Sequence, residues 1–197
     1  TASTIDIDAA GTLQVDESIS GSGAVSLDST GAMSINDDIS TSGTGAITLG
    51  ASKSGSLTID GDITSSGGVI TLTRGTTLGG AIQVSSGTGA GDVSFASTID
   101  GNYGLTADAG TGSITFSGDI GATTGLSSLS VAGTNIAFGA TFLDTANRID
   151  FYGTPYGEES LTLFLPRLGF RGSFPGLGNR GRAYWSLGVT SDWGTSD

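Results

Sequence analysis

Cysteine and histidine are both absent from this chain of 197 residues. Their absence excludes a disulfide framework, a zinc site built on Cys or His, and a catalytic triad with a His base. Positive charge is scarce as well, because 7 Lys and Arg stand against 19 Asp and Glu, a net charge of −12. Since phosphate contacts need clustered Lys and Arg, we expect no binding to nucleic acid.

Long hydrophobic runs and proline are also scarce. No run approaches the ~18 apolar residues of a membrane-spanning helix, so we expect no transmembrane helix. Three prolines beside 35 glycines exclude collagen, which combines a strict glycine period with abundant proline. A hydrophobic content of 36% argues against disorder. The composition therefore favours an ordered, all-β protein with glycine at its turns.

A short unit recurs along the chain: Gly, any residue, apolar, polar, apolar. Examples are 11–15, 55–59 and 112–116. Alternation at period two is typical of a β-strand with one face buried, and no stretch of useful length has a helical period. The sequence thus predicts many short strands.

The units align as coils of about 20–24 residues, which is a period typical of a solenoid. The inward positions of the first strand and its continuation form three columns: Leu13, Met33, Leu57, Val93, Ile114 and Ile136; Val15, Ile35, Ile59, Phe95, Phe116 and Phe138; Ile19, Ile39, Ile63, Ile99, Ile120 and Phe142. A second strand gives two more: Val25, Ile47, Ile70, Leu105, Leu129 and Ile149; Leu27, Leu49, Leu72, Ala107, Val131 and Phe151. This pattern predicts a parallel β-helix of about six to seven coils of roughly 22 residues.

One step in the first column is too long. The steps are 20, 24, 36, 21 and 22 residues, and the third contains another unit at 80–84. Residues 75–91 could be an extra strand, a bulged coil or a loop, and the sequence leaves these open.

Three phenylalanines fall in one column. Phe95, Phe116 and Phe138 lie 21 and 22 residues apart. Side chains at the same position of successive coils are about 4.8 Å apart, so we expect an internal aromatic ladder that serves core packing.

The repeat ends near Tyr152, and residues 153–197 have a different composition. They hold all three prolines, both tryptophans and four arginines. The apolar runs 161–165 and 183–189 could be strands. The segment could cap the last coil, or it could connect to a neighbouring subunit by adding a strand. The candidate assembly residues are Leu163, Phe164, Arg167, Arg171, Tyr184 and Trp185.

Two stretches resemble a known family. Residues 95–106 (FASTIDGNYGLT) and 112–129 (GSITFSGDIGATTGLSSL) are similar to the coils of filamentous-haemagglutinin-type adhesin repeats. Such repeats occur in very large secreted or surface-displayed bacterial proteins with right-handed β-helical shafts. The resemblance covers about residues 11–152 and implies a right-handed rod that serves as a stalk.

Acidic residues beside the third column are the best candidates for chemistry. Two rows of polar residues align from coil to coil: Asp16, Asn36 and Asp60 after the second column, and Asp38, Asp62 and Asp119 just before the third. Asp38 and Asp62 are expected on successive coils, where two carboxylates could bind Ca²⁺. The same pair could flank a glycosidic bond, since two carboxylates are the minimum for glycoside hydrolysis. The simpler interpretation is that Asp suits corners and solubilises a rod.

The sequence therefore predicts a β-helical rod over residues 1–152 and a C-terminal cap or connector over 153–197. We expect a structural, non-catalytic, extracellular or surface-displayed protein: the stalk of an adhesin or a subunit of a fibre. Its partners would be further copies joined head to tail, or a cell-surface glycan. The alternative is a β-helical enzyme acting on carbohydrate through Asp38 and Asp62.

Overall fold

The computed structural model describes residues 3–52, 54–139, 149–155, 181–186 and 190–195, with backbone alone in the last three ranges. Short parallel strands coil around a common axis in about six turns, three strands to a coil, and the described residues include no helix. The predicted all-β, parallel β-helical fold is confirmed.

Each coil contributes one strand to each of three faces. The first face holds β1 (Ile5–Ala9), β4 (Val25–Ser29), β7 (Ile47–Leu49), β10 (Ile70–Leu72), β13 (Val93–Phe95) and β16 (Ser113–Phe116). The second holds β2 (Leu13–Val15), β5 (Met33–Ile35), β8 (Leu57–Ile59), β11 (Thr76–Leu78) and β14 (Ile99–Asp100). The third holds β3 (Ile19–Gly21), β6 (Ile39–Thr41), β9 (Ile63–Ser65), β12 (Ile82–Ser85) and β15 (Gly104–Asp108).

The strands change character after the fifth coil. β17 (Ser128–Phe138) pairs with β15 along its first half and with β16 along its second, so one strand continues across a corner. β18 (Ile149–Pro155) lies parallel to β17, with an irregularity at Gly133 and Asn135. The two long strands therefore join the first and third faces into one sheet.

The core is the column of side chains that point inward from all three faces. Ten strands have three residues, and in seven of them the first and third residues are buried while the middle one is partly exposed. Met33, Ile39 and Leu57 are fully buried, whereas their counterparts on the first coil, Leu13 and Ile19, are partly buried. Burying one such side chain contributes about 1.5–3 kcal/mol, and each is covered by its counterpart on the next coil.

Some corners require glycine. Gly101 has a φ of +129°, and a Cβ there would lie 2.7 Å from the carbonyl oxygen of Leu78 on the preceding coil. Both the backbone conformation and the close approach exclude a side chain.

The predicted columns are correct within the first three coils and correct again within the later coils, but the later columns are joined to the wrong faces of the first three. The second-face row Leu13, Met33 and Leu57 continues through Thr76, Ile99 and Ile120. Val93, Ile114 and Ile136 instead continue the first-face row of Val25, Ile47 and Ile70. The third-face row of Ile19, Ile39 and Ile63 continues through Val84, Ala107 and Val131. Phe142 lies outside the described residues.

Residues 75–91 are an ordinary part of the fourth coil. They hold β11 and β12, which pair in parallel with the coils on both sides. The second-face steps become 20, 24, 19, 23 and 21 residues, from positions 13, 33, 57, 76, 99 and 120. The step of 36 arose because Thr76 occupies an inward position, which hid that strand from an apolar pattern.

In the C-terminal segment, β19 (Gly181–Ser186) and β20 (Thr190–Thr195) form an antiparallel pair. The expected strand within 183–189 is thus present up to Ser186, while the run 161–165 lies outside the described residues. The boundary at residue 152 stays a prediction. Within the described ranges no helix is long and apolar enough to cross a membrane.

Candidate functional site

Asp38 and Asp62 lie on successive coils of the third face, directly before β6 and β9. The backbone N–H of Asp62 donates to Oδ1 of Asp38 at 2.8 Å. The N–H of Gln83, the next residue in the same row, donates to Oδ1 of Asp62 at 2.7 Å. Each carboxylate therefore links its own coil to the following one.

The Ca²⁺ site suggested for Asp38 and Asp62 stays a prediction. One oxygen of each carboxylate already accepts a backbone N–H, and no group of three or more His, Cys, Asp or Glu able to hold a metal occurs within the described ranges. Ca²⁺ usually takes six to eight oxygen ligands. The arrangement on this face is the one expected of a hydrogen-bonded ladder.

The same use of carboxylates recurs along the rod. Asp92 accepts the N–H of Ser113 at 2.8 Å, and Asp100 accepts the N–H groups of Thr123 and Thr124 at 2.7 and 3.0 Å. The partners are 21 to 24 residues apart, so each bond joins adjacent coils. Hydrogen bonds from backbone N–H to a carboxylate are stronger than neutral ones. The acidic composition therefore has a structural function at these positions.

A second acidic row follows the second-face strands. Asp16, Asn36 and Asp60 each come directly after the last residue of β2, β5 and β8, as the sequence predicts. Oδ1 of Asp16 accepts bonds of 2.7 Å from the side-chain amides of Gln14 and Asn36. These bonds, from Gln14 first and then from Asn36, hold the pKa of Asp16 below its ordinary value.

Asp119 was expected to align with Asp38 and Asp62, and this alignment is wrong. Asp119 precedes Ile120, which forms a bridge with Ile99 of the second face. Asp38 and Asp62 lie on the third face. The error has the same origin as the misassigned columns.

A buried arginine is the feature that sequence reasoning missed. Arg74 is 2% exposed, and it follows β10 at the corner between the first and second faces. One guanidinium nitrogen, Nη2, lies 2.6 Å from Oδ1 of Asp28, two coils away. Nη2 also donates to the carbonyl oxygen of Ser29, and Nη1 donates to the carbonyl oxygen of Gly31 at 2.9 Å. The available signal was an Arg inside a segment with almost no other cation.

Asp28 is the anion of this cluster. Burial acts to raise the pKa of Asp28, but hydrogen bonds from Ser52, from the N–H of Ser29 and from Arg74 outweigh that effect and hold the pKa below its ordinary value. A buried ion pair is retained where both ions are satisfied by hydrogen bonds, and losing one partner leaves an uncompensated charge.

The three phenylalanines stack on successive coils. The ring centroids of Phe95 and Phe116 are 4.9 Å apart, and those of Phe116 and Phe138 are 5.0 Å apart. The rings are within 5° of parallel. Phe95 and Phe116 are buried and Phe138 is partly buried against the core, so the ladder belongs to the core.

The candidate assembly residues fall in the C-terminal segment. Tyr184 and Trp185 lie on β19, opposite Asp192 and Ser191 of β20. Leu163, Phe164, Arg167 and Arg171 lie outside the described residues. Their role in assembly stays a prediction.

Comparison with protein-family models, with curated proteins and with solved structures finds no match to this chain. The coil architecture agrees with a β-helical repeat protein, and no family match assigns it to the filamentous-haemagglutinin type.

Proposed function

We propose that this chain is a structural, non-catalytic β-solenoid that works outside the cell, as the stalk of a bacterial surface adhesin or as a subunit of an extracellular fibre. The observation that carries the proposal is the stack itself: parallel pairing passes from coil to coil along all three faces. At about 4.8 Å per coil, six coils give a rod of roughly 30 Å. Such a rod sets a distance between whatever lies at its two ends.

The use of the carboxylates supports a structural role over a catalytic one. Asp38 and Asp62 accept backbone N–H groups from the following coil, as Asp92 and Asp100 do elsewhere on the rod. A catalytic pair of carboxylates would instead occur once on the rod. Its two members would lie in different environments that push their pKa values apart, so that one acts as the acid and the other as the base.

Assembly from further copies is supported by the contrast in charge along the chain. Residues 153–197 hold four of the seven cations, whereas the rod before them is acidic. Opposite charges on two surfaces favour a head-to-tail contact between copies. A head-to-tail contact that does not close produces a filament.

Negative-stain electron microscopy of the full chain and of a chain without residues 153–197 tests the assembly. Filaments formed by the full chain and lost on truncation would identify a fibre subunit with the C-terminal segment as its joint. Isolated short rods in both samples would identify a stalk and contradict the fibre.

Turnover of polysaccharides tests the non-catalytic assignment. The purified chain, Asp38→Asn and Asp62→Asn are incubated with a panel of neutral and acidic polysaccharides, and reducing ends are measured. We expect no turnover. Turnover by the natural chain that both substitutions abolish would overturn the structural assignment in favour of a carbohydrate-acting enzyme.

A further inference from the structure

The corner between the first and second faces changes length along the rod. Corner length is counted from the first-face row of Ile7, Leu27, Leu49, Leu72, Phe95 and Phe116 to the first residue of the second-face strand. Coils one and two have five residues in this interval, at 8–12 and 28–32, and the second interval includes the buried Ser29. The third coil has seven, residues 50–56, which we call the corner loop. The next three coils have three each, at 73–75, 96–98 and 117–119. The rod therefore passes from wide corners to tight ones at Arg74.

The side chain of Arg74 reaches back along this corner to the second coil. Arg74 sits in the first tight corner, and its side chain runs back past Gly50 of the third coil to Asp28 and Ser29 of the second. A Cβ on Gly50 would lie 2.5 Å from Cγ, Cδ and Nε of Arg74, so Gly50 provides the passage.

Asp28 holds the corner loop as well as the arginine. Its Oδ2 accepts the N–H of Ser52 at 2.9 Å, and its Oδ1 accepts the Ser52 hydroxyl at 2.9 Å. The same hydroxyl accepts a bond from Nη2 of Arg74 at 3.1 Å. Three side chains from three coils therefore meet at one point.

Gly50 is buried, whereas the other described residues of the corner loop are exposed. Ala51, Ser52, Ser54, Gly55 and Ser56 are all exposed to solvent. Beyond the bonds of Ser52, the side-chain hydrogen bonds from the loop to the second coil include a long contact of 3.5 Å from the Ser54 hydroxyl to the carbonyl oxygen of Thr30. A segment with many exposed amides and few buried apolar contacts opens at low free energy.

The closed corner also carries a defect. In the part of the chain that the structure describes, Nε of Arg74 is the one buried side-chain nitrogen or oxygen without a hydrogen-bond partner. A buried donor without a hydrogen-bond partner raises the free energy of the folded state, and a hydrogen bond to water removes this penalty. Opening of the corner loop would bring water to this atom.

We propose that Asp28, Ser52 and Arg74 form a latch that closes the corner loop over the rod, and that the loop opens as a unit at this latch while the coils above and below stay stacked. The latch is a conformational device of the third coil alone, because the tight corners of later coils have no loop to release. It goes beyond the stalk function, since it applies to a rod of any function.

The sequence provides a single-site probe of the opening. Lys53, between Ser52 and Ser54, is the only lysine of the chain. A lysine-specific endoprotease at pH 8 therefore cuts the chain once, and the cutting rate follows the population of the open loop when opening and closing are fast.

Asp28→Asn is the informative variant, because it keeps the shape and removes the charge that pairs with Arg74. We expect cutting at Lys53 to be at least tenfold faster than in the natural chain. In hydrogen exchange, the amides of the corner loop should lose protection while those of β4, β7 and β10 keep it. The matched control is Asp8→Asn, since Asp8 pairs in register with Asp28 but belongs to the first coil, and it should cut at the natural rate.

Ser52→Ala keeps the test decisive if Asp28→Asn fails to fold. Ser52 is exposed, so this change cannot remove core packing, and it deletes the hydroxyl bonds to Asp28 and Arg74. We expect cutting about threefold faster. Cutting at the natural rate in a folded Asp28→Asn, or in Ser52→Ala, would overturn the latch. Protection lost equally along all coils would also overturn it, since Asp28 would then support the whole rod.

Discussion

Glycines at the corners of the rod differ in what surrounds them, and this difference decides what a substitution costs. Gly50 has a φ of +74° and faces the side chain of Arg74. Gly11 occupies the same corner two coils earlier, and a Cβ there would have no heavy atom within 4 Å. The same residue type therefore has a structural requirement at one position and none at the other.

Gly50→Ala should destabilise the rod by roughly 2–4 kcal/mol. A left-handed backbone conformation is strained in Ala, and the added Cβ would also displace the buried side chain of Arg74. Gly11→Ala should change the free energy of unfolding by no more than about 0.5 kcal/mol. Urea unfolding followed by circular dichroism measures both. Equal losses would show that Arg74 does not use the space beside Gly50.

At the scale of single elements, the sequence predicts strands well and faces poorly. Strands of the first and second faces commonly have an apolar residue, an outward residue and a second apolar residue, so this pattern does not tell these two faces apart. The third-face strands β3, β6 and β9 end on Gly, Thr or Ser instead. A sequence can therefore locate Ile70–Leu72 and Val93–Phe95 as strands without telling that they share the first face. The alignment slipped at β11, where Thr76 points inward and hides the second-face strand.

The site was predictable to a similar extent. Rows such as Asp38 with Asp62 follow directly from the repeat, because one coil length separates their members. The cluster around Arg74 does not, since it joins residues 46 positions apart across a coil with a long corner. Long-range pairing of that kind depends on the corner lengths, which the apolar pattern does not record.

The aromatic ladder gives a prediction at this scale. Phe116 lies between two rings, whereas Phe95 has Phe116 on one side and Leu72 on the other. Both side chains are buried, so replacement by Leu removes similar apolar area from each. Because a stacked aromatic pair contributes about 0.5–1.5 kcal/mol beyond its area, Phe116→Leu should cost that much more than Phe95→Leu. Calorimetric melting measures the difference, and equal costs would mean that the rings pack as ordinary apolar groups.

For the whole molecule, stability is set by contacts between neighbouring coils. Of the described residues, those in one coil contact mainly the coil before and the coil after, through pairing on each face. A structure of this kind has a stability that is close to a sum over coils and the interfaces between them. The coil length varies because corners differ, but the pairing on the three faces does not.

This additivity predicts that one whole coil can be removed. Deleting residues 92–112 takes out β13, β14 and β15, one strand from each face, and places Ser113 after Gly91. In the natural chain, Val93 lies between Ile70 and Ile114, and Phe95 lies between Leu72 and Phe116. After the deletion, β10 would therefore pair directly with β16 in the same register. We expect a β-type circular dichroism spectrum and one cooperative melt, with a midpoint lowered by roughly 10 °C or less.

The control deletes 92–101, ten residues that remove the first- and second-face strands of this coil and leave β15. It should fail to give a cooperative melt, since β15 would fall where a first-face strand is needed. A cooperative melt in both deletions, or in neither, would contradict the coil register described for this rod.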